Sequence, residues 1–353
     1  MPSVFLAAQY LSDGSGGICR VARLSALALR DLGITVSALS MHDADRSSDL
    51  AIPIKDAKGS RARFVWFCAR AAAHTSHYLY DFPGSARTHS AVRIPRRPYC
   101  VWIHGYEVWG IGGQRSDYAA AVKKAGLVLV NSHTTLGRAE KVLGRIPQAK
   151  VCWLATESDE DPPVVSRPTG PRTVVFLGRS DSLFAKGQDT LIEVWPQIVS
   201  AVPGSVLVFL GGGDNLDHLK GLSAASPAAA SIRVLGFQSQ EQVDRHFSQA
   251  NVFVLLSHVE GFGLVFVEAM RHGIPILAST EDASCETNVD GETGFNVSCR
   301  DKKAIIDRLV LMLRDEALST RMGQAGRRRW RKHFSYSSFR SRFGEIVGPW
   351  LAA

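Results

Sequence analysis

An α/β protein of two doubly wound domains is what this 353-residue sequence predicts, and three observations carry the expectation. Short β-branched or apolar runs alternate with stretches of helical periodicity through both halves. A break rich in acid, proline, serine and glycine separates the halves at 156–172. The composition, 45% hydrophobic and 21% charged, is that of a globular chain able to bury a large core without disulfides. Disordered, collagen-like and disulfide-scaffold classes are excluded. No run approaches the roughly 18 apolar residues of a spanning helix.

The elements follow in order. Ser3 to Ala8 is a short buried-strand run. No basic segment precedes it and no small-residue cleavage pattern follows, so it reads as a first strand and not a signal peptide. A glycine-rich loop opens a helix over 18–32, with Val21, Leu24, Leu27, Ala28 and Leu32 on one face and Gly33 as its stop. Strand runs follow at 35–39, 99–103 and 127–130. Together, 1–155 form the first domain. The linker 156–172 carries Glu157, Asp159, Glu160, Asp161, Pro162, Pro163, Pro168 and Pro171. In the second domain, 173–333, strands are expected at 173–177, 205–210, 232–235, 252–256 and 274–278. Helices fit at 190–202, 240–249 and 264–272. From Lys302 to Trp350 the tail reads as two or three helices.

The net charge of +8 is unevenly placed. Residues 1–155 hold 20 Lys and Arg against 10 Asp and Glu, and the remainder holds 21 against 23. Such asymmetry points the first half at an anionic partner: a membrane surface, a nucleic acid or a phosphorylated substrate. The six cysteines form no CxxC pair and no zinc spacing, and read as free thiols in a reducing, cytoplasmic setting.

The most specific motif is Glu260-Gly-Phe-Gly-Leu-Val-Phe-Val-Glu268, directly after a strand. Its glycines let backbone N–H groups approach a ligand, at a helix start that favours an anion. A carboxylate there can accept from sugar hydroxyls. An ordinary helix start with one surface acid gives the same string, but Glu268 lies among Val265, Phe266, Val267, Ala269 and Met270, where a carboxylate is usually exposed or paired. Next is Phe176-Leu-Gly-Arg179 with Lys186-Gly187, two cations beyond a strand's carboxyl end and suited to a diphosphate. A solvated basic loop is the plainer alternative.

Asp13-Gly14-Ser15-Gly16-Gly17 is a weaker phosphate loop. Cys19 holds the third glycine's place and no acid ends the second strand at the expected offset, which argues against a dinucleotide. His104-Gly105 ends a strand, where the imidazole can donate to a ligand, although a lone histidine is more often a satisfied structural residue; Asn131-Ser132 ends the next strand and is a similar weak candidate. Asp43-Ala44-Asp45 has the form of a metal motif without further ligands, and no metal site is expected.

Taken together, these residues resemble the retaining glycosyltransferases of the GT4 family, of the bacterial polysaccharide and lipopolysaccharide type, which have the GT-B fold. Further likeness lies in 187–196, in Val289-Asp-Gly-Glu-Thr-Gly294 and in the tail from Met322. It is strong over 173–330 and looser before 155. The resemblance implies two Rossmann-like domains facing a cleft, the first binding acceptor and the second nucleotide sugar, with 334–353 crossing back to the first. It implies that Arg179 and Lys186 hold the donor diphosphate, Glu268 the ribose and Glu260 the transferred sugar. The amides of Phe262, Gly263 and Leu264 would bind sugar and phosphate, and His104 the sugar from the first domain. Gly16 and Gly17 would let the first helix approach phosphate or acceptor. Gly236 and Phe237 sit where the family's base-binding loop follows a strand.

The implied reaction moves a hexose from a UDP- or GDP-linked donor, with retention and without metal or other cofactor, to a saccharide or lipid-linked acceptor. A non-catalytic binding protein and a nucleotide-sugar epimerase are the alternatives on the same fold. Arg61, Arg63, Phe64, Trp66, Phe67 and Arg70 read as an amphipathic helix, with Arg93, Arg96 and Arg97 as a second basic run. Aromatics between cations suit an anionic headgroup layer, so peripheral binding at the inner face of the cytoplasmic membrane is expected. Trp66 and Phe67 as core residues with solvated arginines are the competing reading. No nucleic-acid motif is present.

Overall fold

The computed structural model describes residues 2–12, 16–42, 48–91, 97–109, 115–162, 170–182 and 186–353. The Asp13-Gly14-Ser15 loop, the Asp43-Ala44-Asp45 motif, Arg93 and Arg96 lie outside the described residues. The chain divides into two units, residues 1–158 with 333–353, and residues 159–332. Each has its own parallel sheet.

Unit 1 runs β1 (Ser3–Ala8), α1 (Gly17–Asp31), β2 (Thr35–Ser40), β3 (Ile54–Asp56), α2 (Arg61–Ala71), β4 (His77–Tyr80), α3 (Pro83–Ala91), β5 (Tyr99–Ile103), α4 (Ser116–Lys124), β6 (Leu127–Val130), α5 (His133–Leu143) and β7 (Ala149–Val151). Its strands lie in the order β3-β2-β1-β4-β5-β6-β7. The inner strands are buried on both faces, which is why 99–103 and 127–130 read as unbroken apolar runs.

Unit 2 runs β8 (Thr173–Leu177), α6 (Gln188–Ala201), β9 (Val206–Leu210), α7 (Leu216–Ala225), β10 (Ile232–Gly236), α8 (Gln240–Gln249), β11 (Val252–Leu255), α9 (Leu264–Arg271), β12 (Ile276–Ser279), α10 (Ser284–Thr287), β13 (Gly294–Val297), α11 (Lys302–Arg314) and α12 (Glu316–Arg329). Its strand order is β10-β9-β8-β11-β12-β13. The tail holds three helices. The last, α13 (Tyr336–Ala352), belongs to unit 1 and lies on α1. There the Tyr336 hydroxyl donates to Asp31 at 2.6 Å, and Phe343 stacks on Trp102 of β5.

In each sheet the order reverses beside the first strand, between β1 and β4 and between β8 and β11. The loops leaving the carboxyl ends of those two strands diverge, and ligands of open parallel sheets bind in the crevice this leaves. Three of the expected motifs fall on these loops: 16–17 after β1, 178–187 after β8, and 256–263 after β11. His104 follows β5, one strand further along.

Candidate active site

The site in unit 2 is built on a close backbone approach. Gly187 has φ of 87°, and a side chain there would meet the backbone oxygen of Leu256 at 2.9 Å and its Cβ at 2.7 Å. Only glycine lets the loop after β8 rest on the end of β11. That contact brings Lys186 to Glu260, 74 residues on: Nζ donates to Oε1 at 2.6 Å, with both side chains mostly shielded. Buried Gln188 fixes the cation's backbone. Its Oε1 accepts from the Lys186 amide at 3.1 Å and its Nε2 donates to the Arg179 carbonyl at 3.1 Å. The Arg179 side chain is 75% exposed and turned to Asp181, with Nε and Oδ2 2.9 Å apart.

A second loop supports the first. Gly211 and Gly213, after β9, lie so near that a Cβ on either would fall 2.2 Å from the Gly178 carbonyl oxygen or 2.0 Å from that of Ser180. The Ser180 amide donates to Gly212 and the Ser180 carbonyl accepts from Asn215, both at 2.9 Å. Gly236 ends β10 beside them, its carbonyl accepting from Gly211 at 2.8 Å. Phe237 projects with 75% of its surface exposed.

The Glu260 loop is held from the far side by α10. The buried Asp282 carboxylate accepts from the Glu260 amide at 3.1 Å, and the Ala283 amide donates to the Glu260 carbonyl at 3.2 Å. Thr287 donates to the Phe262 carbonyl at 3.0 Å. Arg329, at the end of α12, donates in turn to the carbonyls of Thr287 and Glu286 at 2.9 and 2.8 Å. Burial, with a smaller push from the Glu260 charge, raises Asp282 to about 6. Phe262 is buried, Gly263 precedes the first turn of α9, and Leu264 opens that helix. Glu268 lies just over one turn along it and is buried. His272, a turn further, is held below the usual histidine range by burial, against the pull of Asp244.

In unit 1, His104 ties together three strand ends. Its Nε2 lies 2.7 Å from the Asp81 carbonyl, an acceptor only, so Nε2 carries the hydrogen. Its amide donates to Glu107 and its carbonyl accepts from Asn131 Nδ2 at 2.9 Å. Burial lowers the imidazole pKa in spite of Glu107. The expected donor to a ligand is therefore already spent, and a neutral His104 offers only the Nδ1 lone pair, an acceptor for a hydroxyl. Ser132 caps α5 by accepting from Thr135 at 2.9 Å. Gly16 and Gly17 stand at the start of α1 with open space on their Cβ sides.

Asp81 is buried at the end of β4, and burial raises it to about 7 although the Gln9 amide donates to Oδ2 at 2.7 Å. A raised carboxyl favours the folded state while protonated. That contribution is present below about 4 and is lost as pH rises through about 7. Asp81→Asn is thus expected to raise stability on the order of 3 kcal/mol at pH 8, shrinking towards nil at pH 4. Denaturant melts at the two pH values check it, and an equal shift at both would contradict the burial argument.

Lys186 and Glu260 are brought together, Arg179 is linked to them through Gln188, and Gly236 and Phe237 adjoin the same loops. Sequence reasoning missed Gln188, Asp282 and Asp81. Gln188 follows Lys186-Gly187 directly, a usable signal; the other two gave none.

Comparison with known proteins bears on this arrangement. Residues 157–329 match the family model described as Glycosyl transferases group 1. Over 162 residues, 44% of this chain, the sequence is 33% identical to the GDP-mannose-dependent alpha-(1-6)-phosphatidylinositol monomannoside mannosyltransferase of Mycobacterium tuberculosis, and the match spans 42% of that protein's length. A GDP-mannose-dependent monoacylated alpha-(1-6)-phosphatidylinositol monomannoside mannosyltransferase of Corynebacterium glutamicum is 26% identical over 301 residues, 80% of this chain and 75% of its own. Anabaena HepE, solved with UDP, superposes with a TM-score of 0.83 at 17% identity, covering 98% of this chain and all of that one. Sucrose-phosphate synthase from Thermosynechococcus elongatus gives 0.86 at 20% identity and 99% of each chain. At such identities the two structures speak to the fold, which is GT-B. Residues 157–329 thus carry the pattern of the glycosyl transferases group 1, within a GT-B fold that runs over almost the whole length of the chain.

Proposed function

We propose that this protein is a retaining hexosyltransferase that needs no metal. Its donor is a UDP- or GDP-linked sugar, and its acceptor a hydroxyl of a saccharide or lipid-linked saccharide in cell-surface polysaccharide or glycolipid synthesis. The observation that carries the reading is the Lys186–Glu260 contact, held in place by Gln188 and Asp282 at the switch point of the unit 2 sheet. Lys186, Arg179 and the amides opening α9 supply positive potential where a diphosphate leaves. Glu260 and Glu268 supply acceptors for sugar and ribose hydroxyls. The mannosyltransferase relatives, named for GDP-mannose, and HepE, solved with UDP, support a nucleotide donor of either base.

In the reaction, a bond forms between the acceptor oxygen and the anomeric carbon as the bond to the diphosphate oxygen breaks. The acceptor proton passes to the departing phosphate on the same face, so no glycosidase-type carboxylate pair is required. The test is transfer with EDTA present, using UDP-glucose and GDP-mannose in turn, with the product anomer read by NMR. Activity that EDTA removes and magnesium restores would overturn metal independence. An inverted product would overturn the mechanism. Conversion of the donor sugar to its epimer without acceptor would favour the epimerase reading, and no turnover of any donor the binding-protein one.

Unit 1 supports a membrane surface as partner. Among the described residues no helix is long and apolar enough to cross a bilayer. On α2, Phe64 and Cys68 face the core, while Trp66 is 52% exposed, which goes against its reading as a core residue. The Arg70 guanidinium lies 5.3 Å from the Trp66 ring centre, and Lys55 and Arg63 lie 5.3 and 6.0 Å from that of Phe67. Basic groups near an anionic surface contribute about 1 kcal/mol each. Replacing Arg63 and Arg70 by Ala is therefore expected to lower partition onto phosphatidylserine vesicles at least tenfold, measured by flotation at low salt. Equal binding of wild type to neutral and anionic vesicles would remove the membrane from the reading.

A further inference from the structure

In the ligand-free site the cation assigned to the diphosphate and the carboxylate assigned to the sugar are bonded to each other. Lys186 Nζ sits 2.6 Å from Glu260 Oε1, with 21% and 16% of the two side chains exposed. Neither group is loose. Gln188 accepts from the Lys186 amide, and Asp282 accepts from the Glu260 amide. Charge-assisted bonds of this kind are strong when partly shielded from water.

We infer that Glu260 acts as an internal counter-ion that occupies Lys186 until a nucleoside diphosphate displaces it, so that the carboxylate is released to the sugar only when a diphosphate has taken the cation. The inference rests on the diphosphate assignment above. Glu260 then sets specificity as well as touching substrate. A ligand whose phosphates do not reach Lys186 leaves the pair intact and finds the carboxylate engaged. Free hexose should therefore bind poorly even though hydroxyl acceptors are at hand. A nucleoside diphosphate must exchange one anion for another at the same ammonium, which scales its apparent affinity down to the fraction of molecules in which the pair is open.

The consequence is opposite to that of a residue that only contributes binding. Glu260→Gln keeps the size and hydrogen bonding of the side chain but removes its charge. It should bind UDP, GDP or ADP, whichever the wild type binds, about five- to tenfold more tightly, while losing turnover. Nucleoside monophosphates should be unaffected. Removing any nearby negative charge helps an anion somewhat, so Asp282→Asn serves as control at pH 8: it deletes a charge on the neighbouring loop after β12, which bonds the Glu260 amide and Ser284 and not Lys186. Lys186→Ala tests the underlying assignment.

Calorimetric titration of the four proteins with the three nucleoside diphosphates and the matching monophosphates separates the outcomes. Tighter diphosphate binding in Glu260→Gln alone, with binding lost in Lys186→Ala, is the expected result. Unchanged or weaker binding in Glu260→Gln, with loss in Lys186→Ala, overturns the counter-ion role and leaves the site assignment standing. Equal gains in Glu260→Gln and Asp282→Asn reduce it to a general field and also overturn it. Undiminished binding in Lys186→Ala, or no binding by wild type, removes both.

Discussion

Lys186→Ala is expected to lower kcat by about 10²–10³-fold in a protein that still melts as wild type does. The scale is that of removing one preorganised donor at a developing oxyanion, about 2.7–4 kcal/mol. The position argues for the upper end. Lys186 is mostly shielded, its backbone is pinned by Gln188, and its loss leaves Glu260 in the same pocket without its cation, adding a negative charge where the diphosphate must gather. Arg179→Ala should cost less, since Arg179 is three-quarters exposed and already paired with Asp181. Single-turnover rates beside thermal melts check both. Near wild-type kcat in Lys186→Ala with a normal melt would show that the leaving group is handled elsewhere.

Gly213→Ala is expected to cost about 2–4 kcal/mol of stability and to abolish nucleotide binding. The added methyl would sit 2.0 Å from the Ser180 carbonyl oxygen, at φ of 154°, and the atom in its way is backbone. Overpacking of this sort is relieved only by moving the chain. The segment free to move is 178–180, which carries Arg179 and, through Gln188, the amide of Lys186. Gly204→Ala offers a comparison. Gly204 also has a positive φ, of 81°, but no neighbour within 4 Å, so it should show backbone strain alone, about 1–2 kcal/mol, with binding intact. Denaturant unfolding and calorimetry on the two variants separate the effects. Unimpaired nucleotide binding in Gly213→Ala would mean that the loop after β8 does not hold the ligand.

What the sequence revealed follows from what each element must bury. Strands β1, β5, β6 and β8 were legible to the residue, because inner strands of a parallel sheet are unbroken apolar runs. Strand β4 was not, although it too is buried, because His77 and two tyrosines disguise it among polar neighbours. Strand β13 hides behind Asn296, whose side chain is consumed by Asn288. The edge strands β3 and β7, three residues each, are too short for any alternation to register. In the site, Lys186 and Glu260 stood out because each is a charge beside glycines at a strand's end. Asp282 did not. Its role consists of one bond to an amide 22 residues earlier, and an aspartate ahead of a short turn of helix gives no hint of it. Asp81 was silent for the same reason, and the state of His104 was settled by a carbonyl that no motif contains.

Helix α13 has a consequence for how the molecule is made. Unit 1 comprises the first 158 residues and the last 21. Phe339, Phe343 and Val347 of α13 are buried there, and Gly344 lies against Leu32. During synthesis residues 1–158 leave the ribosome before unit 2 and therefore wait, with the apolar face of α1 uncovered, until Tyr336–Ala352 has been made. Unit 2 is continuous in sequence and can close before that. Domains commonly fold in the order they emerge, but here the first to emerge is the last to be finished. A chain that stalls before Tyr336 would thus present a complete unit 2 joined to a sticky, unfinished unit 1, and a stop codon there should yield protein that aggregates through its N-terminal half.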